Sequence, residues 1–165
     1  MFSDALDGFG AILNYSYTES DIAIQGQHIA ALGDLSHDQA STIIDAHGLA
    51  AAPGFINMLS WANESLIEDG RSQGDIRQGV TLEVMGEGTS MGPLNERMKR
   101  DMLEEQGDIK FEVAWTTLGE YLDHLIRRGV SCNVASFVGA TTVRIHEIGY
   151  ADRPPTSEEL VRMKT

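Results

Sequence analysis

The stretch from Asp45 to Trp61 places the strongest constraint on how this chain can fold. Before it, short alternating segments separated by glycine-containing turns predict β-strands. After it, helical patterns alternate with short apolar runs, as in α/β folds. Pro53 and Gly54 mark the change, because proline fixes φ and lacks an N–H whereas glycine permits a sharp turn. The apolar run 55–59 predicts a strand that is buried on both faces. The sequence therefore predicts a β region joined directly to an α/β region.

Within the first region, two strand pairs are expected. Residues 21–24 alternate polar and apolar, and 28–32 return as the partner strand after a tight turn. Residues 42–45 and 49–51 form the second predicted pair, and 3–10 are expected to be the end of a strand running into a turn.

The second region contains two further predicted strands, at 80–85 and 130–138. Between the first of these and the run 55–59, glycines interrupt the helical pattern of 63–78, which predicts a loop followed by a short helix. Cys132 is expected to be a buried thiol, because no His and Asp pattern accompanies it as in a catalytic nucleophile.

Three longer helices are expected in the second region. The pattern in 94–106 predicts a helix, and the capping boxes that start at Thr117 and Thr156 predict two more. The last helix is expected to continue to Thr165, and His124 in the middle helix is expected to be exposed to solvent. The predicted apolar faces are Met98, Met102 and Leu103 in the first helix, and Leu118, Tyr121, Leu122, Leu125 and Ile126 in the second.

Charge and composition exclude some classes of partner. The formal net charge of −13 repels nucleic-acid phosphates and anionic lipid surfaces. With 42% hydrophobic residues, the chain has the composition of a globular protein and no apolar run long enough to span a membrane. A lone cysteine fits a reducing compartment, so we expect a cytoplasmic protein. The oligomeric state stays open.

Several motifs resemble the amidohydrolase superfamily, in particular the branch of N-acyl-D-amino-acid deacylases, the D-aminoacylases. The resemblance is specific at Ala52–Ile56 and Gly79–Thr81 and weaker at Val138–Arg144. It implies that 1–52 belong to a partial β-sandwich domain and that 53–165 form the first three βα units of a (β/α)8 barrel. A complete barrel needs about 250 residues, so we expect this chain to be a fragment.

The resemblance further implies hydrolysis of a non-peptide C–N bond, as in an N-acyl-D-amino acid, with a divalent metal such as zinc as cofactor. The positions that resemble the family's metal ligands hold Leu59, Trp61 and Gly88, and Ala140 stands where the family commonly has His. None of these side chains ligates zinc. The chain is therefore expected to bind no metal by itself.

Four residues remain candidates for a substrate pocket, and no catalytic residue is assigned. Asn57 lies within the first predicted barrel strand and Trp61 follows it, whereas Glu87 follows the second strand and Thr141 the third. Two functions stay open. One is an amidohydrolase whose metal is held by residues outside this chain, and the other is a non-catalytic binding protein or inactive fragment of the same fold.

Overall fold

Two sheets organise the chain, one in each of the units Met1–Pro53 and Gly54–Thr165. The structure, a computed structural model, describes residues 10–16, 19–25, 28–46 and 52–165.

The first unit is a four-stranded sheet in the order β3-β2-β1-β4. The hairpin is confirmed, because β2 and β3 pair antiparallel and place Ile22 opposite Leu32. The partner predicted for the fourth strand, 49–51, lies outside the described residues, as do residues 3–9. Instead, β4 pairs in parallel with β1. The strands are β1 (Gly10–Ser16), β2 (Glu19–Gln25), β3 (His28–Gly33) and β4 (Thr42–Ala46).

The second unit contains a parallel sheet in the order β5-β6-β7. Its strands are β5 (Phe55–Asn57), β6 (Val80–Met85) and β7 (Asn133–Ser136). The central strand has the predicted bounds, whereas β7 is shorter than the predicted 130–138. The helices are α1 (Ser65–Glu68), α2 (Gln73–Ile76), α3 (Glu96–Glu104), α4 (Leu118–Arg128), α5 (Ala140–Ile148) and α6 (Ser157–Met163).

The prediction that the run 55–59 is a strand buried on both faces was wrong. The strand β5 has three residues, and Phe55, Ile56, Met58 and Leu59 are all more than half exposed. Within the described residues, the strand lies at one edge of the sheet and pairs with β6 alone. Apolar composition alone does not reveal whether a second strand and a covering layer are present, so the pattern predicts the strand but not its burial.

The core of this unit is formed by residues of α1, β6, α3, α4 and the segment before α4. Trp115 is 2% exposed, and its indole Nε1 donates a hydrogen bond to the carbonyl of Met91 at 2.7 Å. The Tyr121 hydroxyl donates to the carbonyl of Asn63 at 2.8 Å. These bonds satisfy the polar atoms of two large aromatic side chains inside an apolar core. The other buried apolar residues of the cluster are Leu66, Ile67, Met85, Met91, Leu94, Met98, Leu125 and Cys132.

Helix α4 begins at the predicted capping box, in which Thr117 and Glu120 each bond the other's backbone N–H. Two predictions about its faces were wrong. Ile126 is exposed, and His124, which was expected in solvent, packs against Trp115 with ring centroids 5.2 Å apart. Trp115 lies in the segment before the helix, which places its indole against His124, a contact that helical periodicity does not predict. Burial, then the charges of Arg128 and Arg127, lowers the pKa of His124.

Two further expectations about helices need correction. Leu103 is exposed, because only Met98 and Met102 of the predicted face turn toward the core. The last helix ends at Met163 and does not continue to Thr165, although its predicted capping box at Thr156 is present.

Candidate functional site

The three parallel strands of the second unit end at the same edge of the sheet. The backbone N–H of Ser60, after β5, donates to the carbonyl of Val84 at 2.9 Å. The N–H of Phe137, after β7, donates to the carbonyl of Met85 at the same distance. The loops that carry Trp61, Glu87 and Ala140 therefore leave from one edge, as expected of successive parallel βα units.

A buried hydrogen-bond network fixes the loop after β6 against the start of α5. Thr142 is 3% exposed, and its Oγ1 accepts from the N–H of Ser90 at 2.8 Å. The Ser90 hydroxyl accepts from the N–H of Gly139 at 2.9 Å and donates to the carbonyl of Gly92 at 2.6 Å. A Cβ on Gly139 would lie 2.6 Å from the carbonyl oxygen of Gly88, so only glycine allows this approach. The two loops are thereby held as one rigid wall.

This wall borders a cavity of about 760 Å³ at the carboxyl edge of the sheet. Its size lies in the range of small-molecule sites. Residues from the loops after β5 and β6, from α3 and from α5 contribute to it. The lining residues are Trp61, Asn63, Glu64, Ser65, Thr89, Ser90, Met91, Leu94, Met98, Asp101, Met102, Glu105, Ile109, Thr142, Ile145 and Tyr150.

Of the four candidate residues from the sequence, Trp61 lines this cavity, with 71% of its surface exposed. Glu87 and Thr141 are exposed, and neither is among the lining residues. The backbone N–H of Thr141 donates to the carbonyl of Gly88 at 2.9 Å, so this residue helps to join the two loops. Its neighbour Thr142 contributes to the cavity wall.

Asn57, the fourth candidate, is bonded within the sheet. Its Nδ2 donates to Oε2 of Glu83 at 3.1 Å. The Glu83 side chain is completely buried, and its Oε1 has no hydrogen-bond partner in the described part of the chain. Burial, and then the charge of Glu83, raises the pKa of the Cys132 thiol. Cys132 is therefore held as a neutral buried thiol, which fits the sequence expectation.

The residues at the ligand positions of the resemblance do not fit a metal ion. Leu59 and Trp61 have no side-chain atom that can ligate a metal, and both are more than half exposed. Gly88 has a φ of 74°, a left-handed conformation that would strain any side chain placed there. Within residues 10–16, 19–25, 28–46 and 52–165, no group of three His, Cys, Asp or Glu side chains is positioned to hold a metal.

Three acidic residues of the cavity were missed at the sequence level. Glu64, Asp101 and Glu105 line it together with an apolar wall. Asp101 and Glu105 lie four residues apart, so they share a face of the chain around the end of α3. That spacing could have identified a local acidic pair. It could not have shown that Glu64, from a different loop, joins them.

The chain is similar in sequence to known enzymes. The chain is 34% identical over 168 residues to a D-aminoacylase from Alcaligenes xylosoxydans xylosoxydans, an alignment that covers 98% of this chain and 34% of the relative. The chain is therefore similar to D-aminoacylases over nearly all of its own length. It is also 32% identical over 147 residues to an N-acyl-D-aspartate deacylase from the same organism, covering 88% of the chain and 29% of the relative. No protein-family model matches the chain.

Solved structures give the same relationship. A D-aminoacylase described as defining a novel subset of amidohydrolases superposes with a TM-score of 0.72 at 31% identity, covering 94% of this chain and 35% of that one. A second D-aminoacylase structure, described for the functional role of its binuclear metal center, has a TM-score of 0.73 at the same identity, with the same coverage. This chain thus spans about a third of the length of the proteins it matches. No helix in its described part is long and apolar enough to cross a membrane.

Proposed function

We propose that this chain supplies part of the substrate-binding wall of an amidohydrolase that cleaves the amide bond of N-acyl amino acids. In this proposal, 1–52 belong to a partial β-sandwich, and 53–165 to the first three units of a (β/α)8 barrel. The relationship to D-aminoacylases supports the reaction class. The parallel sheet supports the barrel, since active sites of such barrels lie at the carboxyl ends of the strands.

The observation that carries the proposal is the cavity of about 760 Å³ at that edge. Its wall combines the exposed indole of Trp61 with buried methionines, and such a surface binds an apolar acyl chain or side chain. The loops bearing this wall are fixed by the Ser90 and Thr142 network, so the surface is formed before a ligand arrives.

In this role the chain binds and orients a substrate, while other residues hold the divalent metal that the family uses. The D-aminoacylase structures include a binuclear metal center. The side chains at Leu59, Trp61 and Gly88 leave this chain without the matching ligands. A lone buried cysteine further supports a cytoplasmic location for the protein.

A second candidate function follows from the same three positions. Without ligands on the first strands, the fold would serve as a non-catalytic binding protein for the same class of small molecule. Hydrolysis and binding separate the two functions, because the binding protein retains the cavity and its ligand but releases no product.

The test is release of free amino acid from a panel of N-acyl-D-amino acids with added zinc, measured for the purified chain and for any longer product of the same gene. We expect no turnover by the 165-residue chain and metal-dependent turnover by the longer product. Hydrolysis by the chain alone would show that it holds a working metal site and would overturn the assignment of its role. Binding without turnover in both samples would establish the second function.

A further inference from the structure

Trp61 stands where the resemblance to amidohydrolases implies a metal ligand, and it lines the cavity. Indole has no atom that ligates zinc, and neither Leu59 nor Gly88, at the other two positions, supplies one. The residues present therefore do not fit the implied metal. At this point of its surface the cavity presents a large aromatic face in place of a metal ligand.

The backbone around Trp61 is fixed on both sides. Before it, the N–H of Ser60 donates to the carbonyl of Val84 in the neighbouring strand β6 at 2.9 Å. After it, the carbonyl of Asn63 accepts from the Tyr121 hydroxyl of α4 at 2.8 Å. The indole nevertheless remains 71% exposed, so the fold holds a large apolar ring at the cavity without covering it. A ligand that contacts this ring has little loop to order, which lowers the entropic cost of binding.

The cavity surface beside this indole suits a second ring. Met91, Met98 and Met102 contribute thioether groups, and Tyr150 contributes a phenol ring. Thioether sulfur makes favourable contacts with aromatic rings, and two aromatic rings stack or meet edge to face. A saturated group covers the same surface but forms neither kind of contact. The surface therefore favours an aromatic group over an alkyl group of the same size.

The charges of the cavity exclude an anionic group from it. Glu64, Asp101 and Glu105 line the cavity, whereas no described lining residue is Lys, Arg or His. A carboxylate placed among these acids would meet like charges at close range, and like charges repel. The volume of about 760 Å³ lies within the range of small-molecule sites and accommodates a substituted benzene ring. A neutral ring is compatible with both the apolar surface and the charges.

We propose that this cavity binds a neutral aromatic group by stacking on Trp61, and that this binding needs no metal. Trp61 is then the residue that determines specificity for the ring. As a statement about substrate, the inference rests on the proposed function and points to N-acyl amino acids that carry an aromatic ring, with their α-carboxylate outside the cavity. As a statement about binding, it does not depend on turnover.

The experiment titrates the purified chain with two matched probes by NMR of ¹³C-methyl-labelled methionine. The probes are N-methylbenzamide and N-methylcyclohexanecarboxamide, two neutral amides that differ in whether their six-membered ring is aromatic or saturated. N-Methylbenzamide should shift the methyl signals of Met91, Met98 and Met102 and bind at least about threefold more tightly than the saturated probe, as expected for one aromatic pair. The affinity should be the same with EDTA and with added zinc.

Variants of exposed aromatic residues locate the contact. Trp61→Leu keeps an apolar side chain but removes the ring, and should reduce the preference for N-methylbenzamide to less than about twofold. Trp61→Phe retains a ring and should keep the preference. Phe137→Leu is the matched control, because this exposed aromatic residue follows β7 at the same edge of the sheet and is not among the residues that line the cavity. It should leave both affinities unchanged.

Three results would overturn the inference. Equal affinity of the chain for the two probes would show that the cavity does not select an aromatic ring. An unchanged preference in Trp61→Leu, or an equal loss in Phe137→Leu, would show that Trp61 does not make the selective contact. Binding that requires zinc and disappears with EDTA would show that a metal makes it.

These readouts are separate from hydrolysis. Ring selectivity without turnover by any longer product of the gene would contradict only the proposed function. Turnover by that product without ring selectivity would contradict only the aromatic site.

Discussion

The hydrogen bonds between Thr142 and Ser90 allow a quantitative test of how the cavity wall is held. Replacing Thr142 by Val keeps the shape of the side chain but removes the acceptor for the buried N–H of Ser90, now bonded at 2.8 Å. Leaving a buried donor unsatisfied costs about 1–3 kcal/mol. The variant also loses the bond that the Thr142 hydroxyl donates to the carbonyl of Ser90 at 3.3 Å. The new buried methyl contributes about 0.8 kcal/mol, which offsets this second loss. We therefore expect Thr142→Val to lower the free energy of unfolding by about 1–3 kcal/mol.

The measurement is urea denaturation followed by the fluorescence of Trp115, which is buried in the same unit and reports its unfolding. With a typical slope of about 2 kcal/mol per molar urea, the midpoint should fall by roughly 0.5–1.5 M. To isolate this signal, the titration uses a Trp61→Phe background, because the chain has two tryptophans and Trp61 is exposed.

Thr141→Val is the matched control, because it makes the same substitution one position earlier in α5. Thr141 is exposed, and its backbone N–H is the part that takes part in the loop contact. The free energy of unfolding of Thr141→Val should therefore differ from that of the parent by less than about 0.5 kcal/mol. Thr142→Ser retains the hydroxyl and should lose only about 1 kcal/mol for the deleted methyl. If Thr141→Val and Thr142→Val were equally destabilised, helix propensity would explain the loss and the network argument would fail.

Two further predictions concern titrating groups. Burial, and then the charge of Glu64, raises the pKa of Tyr121 above its usual value of 10.0, so the stability that the neutral phenol contributes is complete below about pH 10 and is lost as the pH rises further. Tyr121→Phe removes the hydrogen bond to Asn63 and should lower the free energy of unfolding by about 1 kcal/mol at neutral pH. Urea denaturation at increasing pH should also show that this free energy falls less steeply in the variant above about pH 10. The same slope in both proteins would contradict this prediction. Hydrogen bonds from Arg153 at 2.7 Å lower the pKa of Glu159 to about 2. Arg153→Gln should therefore raise the midpoint of the Glu159 titration, followed by ¹³C NMR, toward 4.5. An unchanged midpoint would refute the role assigned to Arg153.

Features that depend on neighbours in sequence were predicted well. The central strand β6 has the expected bounds, and the capping boxes at Thr117 and Thr156 form as their spacing predicts. A capping box is complete within four residues, and a strand bounded by turn residues is defined by its own composition. The relationship to D-aminoacylases also followed from short motifs around Pro53 and Gly79, because these residues form the local junctions of the fold.

Only the tertiary structure decided which surfaces are covered and which side chains meet. Phe55 and Ile56 are apolar yet exposed, because burial of a strand depends on partners from distant parts of a chain. His124 contacts Trp115 because the segment before α4 turns back over it. The acidic border of the cavity joins Glu64 from one loop to Asp101 and Glu105 around the end of α3, across about forty residues of sequence. Periodicity and motif spacing act over a few residues, whereas the charge of a cavity is the sum of side chains that only folding brings together.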